Sequence, residues 1–320
     1  MNAPLLSVHE LSVEFRVPDG RTVHAVSGIS FDLRRGETLG LVGESGCGKS
    51  SAARALMQLP PPTGGQVWFE GTDLATQPAA QLRRLRPQLQ MIFQDPIASL
   101  NPRHTVADIV AAPLRVNRRL SKPEIGPRVA AMLEAVGLEP TLALDRRPHE
   151  FSGGQCQRIS IARALILEPS LLICDEPVSA LDVSVQAQIL NLLREMKARM
   201  GLTMLFISHD LAVVKNVSDR VAVMYLGRIC ELAPSEALYR APAHPYTAAL
   251  LSAIPVPDPT QPVRQVKLTA SDLPSPMDPP SGCRFRTRCP RAEARCATEV
   301  PLPKEVAPDH QVACHFPLTA

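Results

Sequence analysis

The chain carries a glycine-rich octapeptide, GESGCGKS at residues 43–50, directly after the apolar run Thr38–Val42. This pattern predicts a strand, a loop whose backbone N–H groups surround phosphate oxygens, and a helix that points its positive end at the anion. Good helix-forming residues follow over residues 51–59. Lys49 is placed to reach the outer phosphate oxygens, and Ser50 to ligate magnesium. The sequence therefore predicts a nucleoside triphosphate site.

A second apolar strand is predicted over residues 171–174, and it ends in Asp175 and Glu176. A buried strand that delivers two carboxylates to one edge of a sheet favours a magnesium-dependent site over an exposed acidic turn. Two further polar residues follow apolar stretches in the same way. Gln94 comes after residues 89–93, and His209 comes after residues 204–208.

The short sequence FSGGQ at residues 151–155 precedes the second strand, and SALD at residues 179–182 follows it. In this order and at these distances, the motifs resemble those of ATP-binding cassette ATPases. The resemblance implies that FSGGQ is the signature sequence and SALD the D-loop. It also implies that Gln94 is the Q-loop glutamine and His209 the switch histidine.

The resemblance and the chemistry of these residue types together assign the site. Glu176 is predicted to be the general base for the attacking water, and the residues predicted to act with it in catalysis are His209, Lys49 and Gln94. Magnesium is assigned to Ser50, Gln94 and Asp175. The residues predicted to bind ATP are Phe15, Gly43, Glu44, Ser45, Gly46, Cys47, Gly48, Lys49, Ser50, Ser51, Gln94 and Asp175.

Near the N-terminus, residues 11–15 and 23–33 alternate apolar and polar side chains, which predicts an antiparallel β lobe with a turn at residues 18–20. The family resemblance implies that an aromatic side chain at the position of Phe15 stacks on adenine. The alternative is an ordinary core aromatic.

The signature sequence lies too far along the predicted helical subdomain to complete the site formed by its own phosphate loop, so a second subunit is expected to supply it. Ser152 is a good N-cap for a helix over residues 153–167, so the helix N-terminus is predicted to bind an anion. The resemblance implies a head-to-tail dimer that encloses two ATP molecules. The residues expected to act across its interface are Ser152, Gly153, Gly154, Gln155 and Asp182.

Alternating strands and helices predict an α/β fold with a P-loop (RecA-like) parallel-sheet core, the antiparallel β lobe, an inserted helical subdomain and a small Cys-rich C-terminal region. Helical periodicity over residues 106–116 and 128–137 marks the insertion. Its predicted breaks are Pro102, Pro113, Pro123 and Pro140. The predicted division is 1–94 with 166–240 for the core and lobe, 95–165 for the helical subdomain, and 241–320 for the C-terminal region.

The last 80 residues hold 15 of the 32 prolines, which argues against long helices and central strands there. Four cysteines with the spacing C-x5-C-x6-C-x17-C lie in this region: Cys283, Cys289, Cys296 and Cys314. The spacing is looser than that of structural zinc sites. A reducing compartment disfavours disulfides, so a metal site is predicted. The family resemblance implies a [4Fe–4S] cluster, with zinc as the alternative and His310 and His315 as bystanders.

Several C-terminal motifs resemble the nucleotide-binding subunits of bacterial dipeptide and oligopeptide importers, in particular the second ATPase of such systems. They are GRICE at 227–231, HPYT at 244–247, LPSP at 273–276, PPSGC at 279–283 and TRCP at 287–290. The resemblance implies a homologous second ATPase subunit, two transmembrane permease subunits and an extracytoplasmic peptide-binding protein as partners. It also implies a peripheral location at the cytoplasmic face of the bacterial inner membrane. Nickel or another small solute remains open as the cargo.

Composition fits this class of protein. The chain is 45% hydrophobic, and no apolar run approaches the roughly 20 residues that a membrane span needs. The formal net charge of +3 is close to balance and argues against nucleic acid as a partner. Cassette ATPases of DNA repair carry a long coiled coil and those of translation carry two cassettes, and this chain has neither pattern. An arginine-rich nucleic-acid module at the C-terminus lacks the aromatic side chains that such modules use.

Overall fold

The computed structural model describes residues 3–18, 20–117, 122–254, 268, 269 and 272–318. Backbone packing divides the chain into two compact units. The first unit comprises residues 1–33, 38–75 and 208–320, and the second comprises residues 34–37 and 76–207. The predicted turn at residues 18–20 includes Asp19, which lies outside the described residues. The predicted three-part division of the chain stays a prediction.

The described residues form twelve strands and eleven α-helices. The strands are β1 (Leu6–Arg16), β2 (Thr22–Leu33), β3 (Thr38–Val42), β4 (Gly64–Phe69), β5 (Thr72–Asp73), β6 (Leu89–Ile92), β7 (Leu171–Asp175), β8 (Thr203–Ser208), β9 (Arg220–Tyr225), β10 (Arg228–Pro234), β11 (Lys304–Ala307) and β12 (His310–Val312). The helices are α1 (Lys49–Leu56), α2 (Ala79–Leu85), α3 (Val106–Asn117), α4 (Lys122–Ala135), α5 (Pro140–Ala143), α6 (Gly153–Leu165), α7 (Val183–Met200), α8 (Leu211–Val217), α9 (Ser235–Arg240), α10 (Pro245–Ser252) and α11 (Ala294–Thr298).

The first unit contains the predicted antiparallel lobe. Its four strands lie in the order β2-β1-β4-β5, and all three pairs are antiparallel. Leu6, Leu11 and Leu33 are fully buried and form part of its core. The alternation of apolar and polar residues that predicted the lobe is thus the alternation between the buried and the exposed face of this sheet.

A second set of strands in the first unit lies in the order β11-β12-β10-β9-β3. β3 pairs with β9 in parallel, with Val42 opposite Val223. β9, β10, β12 and β11 pair in antiparallel fashion. All five residues of β3 are buried, as expected for a strand covered on both faces.

The second unit contains the parallel strands β6, β7 and β8, with β7 between the other two. Every residue of β7 and of β8 is buried. Helices α2 to α7 belong to the same unit. Parallel pairing in both units, together with the helices that connect the strands, confirms the predicted α/β class with a parallel-sheet core and an antiparallel lobe.

The prediction that Pro113 breaks a helix is wrong. Pro113 lies inside α3, which continues to Asn117. A proline removes one backbone hydrogen bond and costs about 3 kcal/mol in a helix interior. Burial of Ile109, Val110 and Leu114 on one face of α3 outweighs this cost. By contrast, Pro140 is the first residue of α5, where a proline is compatible with a helix.

The expectation that the proline-rich C-terminal region has no central strand is also wrong. β12 lies between β10 and β11. The strand is only three residues long and contains no proline, and Pro308 falls in the turn between β11 and β12. The prolines therefore lie outside the hydrogen-bonded positions of this hairpin. Within the described part of the chain, no helix has the length and apolar character of a membrane span.

Candidate functional site

The phosphate-loop sequence lies between β3 and α1, as predicted. β3 ends at Val42 and α1 begins at Lys49, so the loop occupies residues 43–48. Gly48 has a φ of 105°, and a Cβ atom at this position would lie 2.0 Å from the carbonyl oxygen of Ala25. Both the backbone angle and the close approach require glycine.

Lys49 is the buried cation of this loop, with only 4% of its surface exposed. Its Nζ atom donates hydrogen bonds to the carbonyl oxygens of Gly43, at 2.8 Å, and Glu44, at 3.0 Å. The loop thus folds back over its own lysine. This arrangement holds the ammonium group against the backbone of the loop that the sequence assigned to phosphate.

The other residues assigned to the nucleotide in the first unit have the following places. Ser45, Gly46 and Cys47 lie in the loop, and Ser50 and Ser51 lie in the first turn of α1. Phe15 is 40% exposed on β1, so its ring is accessible rather than part of the core. His209 is exposed and directly follows β8. Their assignment to ATP stays a prediction.

Glu44 has two further contacts, which the sequence did not predict. Its backbone N–H donates to the hydroxyl oxygen of Tyr246 at 3.0 Å. Its carboxylate accepts two hydrogen bonds from the guanidinium of Arg288, at 2.7 and 2.9 Å. Tyr246 and Arg288 belong to the motifs HPYT and TRCP, which were noted for their family resemblance and not for a role at the loop.

The second unit brings together the predicted base and the predicted glutamine. Nε2 of Gln94 lies 3.1 Å from Oε2 of Glu176. Asp175 is 1% exposed at the end of β7. Glu176 has a φ of 48°, a region that residues other than glycine rarely adopt, and its N–H donates to the carbonyl oxygen of Ile207 at 3.0 Å. Such strained residues cluster at functional sites.

The signature sequence forms the start of α6, and the prediction that Ser152 is its N-cap is confirmed. Oγ of Ser152 accepts a hydrogen bond from the N–H of Gln155 at 3.4 Å, and Oε1 of Gln155 accepts one from the N–H of Ser152 at 2.9 Å. A Cβ atom at Gly154 would lie 2.6 Å from a methyl carbon of Val185 in α7, which explains the glycine. Asp182 is the N-cap residue of α7. Action of these residues across a dimer interface, together with Gly153, stays a prediction.

The four C-terminal cysteines line one small cavity, together with His315. All eight cysteines lie among the described residues as free thiols. Burial raises the pKa values of Cys283, Cys289 and Cys314, that of Cys314 to about 11. Among the described residues, no group of three or more His, Cys, Asp or Glu side chains has the arrangement of a metal site.

A buried polar cluster joins β10, β12 and the start of α10. Oε1 of Glu231 lies 2.7 Å from Nε2 of His310, and the same carboxylate accepts the backbone N–H groups of Ala243 and His244. Nδ1 of His244 accepts the N–H of Tyr246 at 3.0 Å and so caps α10. Burial lowers the pKa of His244 to about 4, which keeps its ring neutral. In contrast to His244, the His310 ring contacts a carboxylate, that of Glu231.

Comparison with known proteins supports the sequence motifs. The sequence model of the ABC transporter family matches residues 26–179, and that of the oligopeptide/dipeptide transporter C-terminal region matches residues 230–296. The chain is 53% identical over 320 residues to the oligopeptide transport ATP-binding protein OppF of Salmonella typhimurium, in an alignment that covers 97% of this chain and 95% of the relative. The chain belongs to the family of ABC transporter ATPases. This ABC ATPase is also 54% identical over 311 residues to a putative peptide import ATP-binding protein of Brucella ovis, with 97% of each chain covered.

Solved structures of ABC cassettes share the fold. The post-hydrolysis dimer of the ATP-binding cassette MJ0796 bound to ADP and Pi is 26% identical, with a TM-score of 0.66 over 72% of this chain and 98% of that one. The cbiO1 protein of Clostridium perfringens, part of the transporter complex cbiONQ, is 30% identical, with a TM-score of 0.65 over 75% of this chain and 92% of that one. The predicted family and the predicted α/β cassette fold of this ABC ATPase are therefore confirmed, and the small Cys-rich C-terminal region stays a prediction.

Proposed function

We propose that this ABC ATPase hydrolyses ATP to power the uptake of oligopeptides through a membrane importer. The observation that carries the proposal is its 53% identity, over nearly the whole chain, to proteins named for oligopeptide transport. The match to the oligopeptide/dipeptide transporter C-terminal region adds independent support. The test is ATP-dependent uptake of labelled peptides by vesicles that contain the copurified complex. Uptake of nickel and not of peptides would refute the assignment of the cargo.

In the proposed mechanism, Glu176 is the general base. The side-chain amide of Gln94 donates to Oε2 of Glu176, and the carboxylate oriented in this way accepts the proton of the attacking water. The hydrogen bond fixes the carboxylate in one orientation, which lowers the entropy cost of reaching the reactive geometry. Lys49 and the loop amides hold the phosphates and offset their charge.

A magnesium ion held at this site would supply Lewis-acid chemistry, which stabilises negative charge on phosphate oxygens. The donors assigned to it are a hydroxyl, an amide and a carboxylate oxygen, which are the ligand types that this hard ion takes. The three residues are Ser50, Gln94 and Asp175. These residues fit magnesium in the chemical type of their donor atoms.

The proposal includes a head-to-tail ATPase dimer in which α6 of each subunit faces the γ-phosphate held by the other. The capped N-terminus of α6 has exposed Ser152 at its tip, and helix N-termini favour anions. MJ0796, which shares the fold, forms a dimer bound to ADP and Pi. Closure on ATP and opening after hydrolysis would drive the transport cycle.

We also propose that the partner in this dimer is a homologous but different ATPase, beneath two permease subunits at the cytoplasmic face of the inner membrane. A peptide-binding protein would deliver the cargo from outside. The support is the C-terminal resemblance to the second ATPase of peptide importers. Mass measurement of the intact complex, purified from membranes, tests the composition. Two copies of this chain with no second ATPase would contradict it.

The four C-terminal cysteines are proposed to hold a [4Fe–4S] cluster with a structural role. Their thiols line one cavity, and four thiolates are the ligand set of such clusters. The cluster would fix a region rich in proline. Protein purified without oxygen should be brown and contain about four iron atoms per chain. A colourless protein with one zinc ion per chain would show that the cysteines bind zinc and not an iron–sulfur cluster. A mapped disulfide between two of these cysteines would refute both metal sites.

A further inference from the structure

The C-terminal region contacts the phosphate loop through an ion pair between residues far apart in the chain. The two terminal guanidinium nitrogens of Arg288 lie 2.7 and 2.9 Å from the two carboxylate oxygens of Glu44. The side chain of Arg288 is 5% exposed and that of Glu44 is 30% exposed. A bidentate pair of this kind fixes the direction of the carboxylate as well as its distance.

Arg288 is itself held in place by aromatic side chains. Its guanidinium carbon lies 5.7 Å from the ring centroid of Tyr225. The ring of Tyr225 packs edge-on against Tyr246 at 4.7 Å and against Phe285 at 5.2 Å. Phe285 is three residues before Arg288 in the chain and is 2% exposed. The packed aromatic side chains therefore hold the guanidinium in position next to the loop.

Tyr246 of this aromatic group also binds the loop directly. Its hydroxyl accepts the backbone N–H of Glu44, and the residue is 1% exposed. Glu44 is thus held by its backbone through Tyr246 and by its side chain through Arg288. Both residues lie in the predicted C-terminal region, residues 241–320.

The position of Glu44 bears on the residue that binds phosphate. The carbonyl oxygens of Glu44 and Gly43 are the acceptors for Nζ of Lys49. A loop that loses its hold on Glu44 samples other conformations, and each of them displaces the acceptors of the lysine. The nucleotide must then order the loop when it binds, and the free energy that this ordering requires lowers the affinity.

We propose that Arg288 is a positioning residue for nucleotide binding, which acts by clamping Glu44 and through it the first turn of the phosphate loop. This inference rests on the proposed binding of ATP at that loop. It assigns to the C-terminal region a role in the ATP site of its own chain.

Charge alone predicts a different outcome at Glu44. A carboxylate beside a triphosphate repels it, so Glu44→Ala should tighten nucleotide binding if the residue acts only through its charge. If Arg288 fixes the loop through its ion pair with Glu44, the same substitution should weaken nucleotide binding. The sign of the change therefore separates the two roles.

The experiment measures ATP affinity and steady-state ATP hydrolysis of the full chain in its assembly. Glu44→Ala, Arg288→Ala and Arg288→Lys should each weaken ATP affinity by about tenfold, and the double variant Glu44→Ala/Arg288→Ala should be no weaker than either single variant. KM for ATP should rise by about the same factor while kcat changes less than about twofold, since the clamp acts on binding. Lysine at position 288 keeps the positive charge but cannot form the bidentate contact, so Arg288→Lys should not restore ATP affinity.

Arg295→Ala is the matched control, because it breaks another arginine–glutamate pair of the same region, that of Arg295 with the exposed Glu299. It should leave ATP affinity unchanged. If Arg288→Ala does not fold, Glu44→Ala still decides, because it alters a loop side chain without emptying the aromatic group. Tighter or unchanged binding by Glu44→Ala would overturn the clamp.

Lys49→Ala separates this inference from the proposed function. If the unaltered chain binds ATP and Lys49→Ala does not, the loop is the nucleotide site, and normal affinity in Glu44→Ala then refutes the clamp alone. If the unaltered chain binds no ATP, the proposed function fails and the clamp fails with it.

Discussion

Gln94 donates a hydrogen bond of 3.1 Å from its side-chain amide to Oε2 of Glu176, although the two residues are 82 positions apart in the chain. The pairing of β6 with β7 explains this contact. Ile92 lies opposite Cys174 in the parallel register, and Gln94 and Glu176 each follow two residues later. Parallel strands therefore deliver both side chains to the same edge of the sheet, where the amide can orient the carboxylate.

Gln94→Ala tests this orientation. We expect kcat for ATP hydrolysis to fall by about tenfold to a hundredfold, because general-base catalysis depends on the placement of the base. Gln90→Ala is the control, since Gln90 lies on the same strand and its amide donates to the carbonyl oxygen of Arg86 instead. Equal rates for the two variants would contradict an orienting role of Gln94.

Ser152→Asp separates the capping role of Ser152 from its proposed role across the dimer. Aspartate is as good an N-cap as serine, so the melting temperature of the isolated chain should stay within a few degrees. A carboxylate that faces a γ-phosphate repels it, so ATP hydrolysis by the assembled dimer should be lost.

Ser152→Ala is the companion variant. Loss of the cap should cost about 1 kcal/mol of unfolding free energy. Full hydrolysis by the Ser152→Asp assembly would show that α6 does not face a nucleotide.

His244→Asn tests the pH dependence of stability. The unfolded histidine has its ordinary pKa of 6.5 and the buried one a pKa of about 4, so the unfolded chain binds more protons between these values. The stability due to the neutral ring is complete above pH 6.5 and is lost as the pH falls toward 4, by about 3 kcal/mol in all. Asparagine can still cap α10 and does not titrate, so this variant should lose less stability over that range.

Urea denaturation at several pH values between 4 and 7 measures the difference. His9→Asn is the control, because His9 is exposed on β1. Glu231 and His310 are the same in both proteins, so the comparison isolates His244. An identical pH dependence for the unaltered chain and His244→Asn would contradict a buried neutral His244.

Local patterns were sufficient to predict the elements that carry the nucleotide motifs. The apolar run before the loop became β3, and Ser152 became the N-cap of α6. These signals are local because strand burial and capping depend on residues that are close together in sequence. The side-by-side placement of Gln94 and Glu176 also follows, once the strands that precede them are known to be parallel.

Contacts set by tertiary packing could not be predicted in this way. Arg288 and Glu44 are 244 positions apart, and the sequence does not say which of several arginines near the cysteines would meet the loop. The continuation of α3 through Pro113 depends on the burial of one helix face. The interior place of β12 depends on its pairing with β10, which no pattern of three residues specifies.

Glu176→Gln in the purified assembly tests whether Glu176 is the base of an ATPase built on this phosphate loop. Glutamine keeps the size of the side chain and cannot accept the proton, so ATP should bind with unchanged affinity and its hydrolysis should fall by at least about a hundredfold. The dimer should then remain closed on ATP, as a stable species in size-exclusion chromatography. Turnover at the rate of the unaltered assembly would show that Glu176 is not the base.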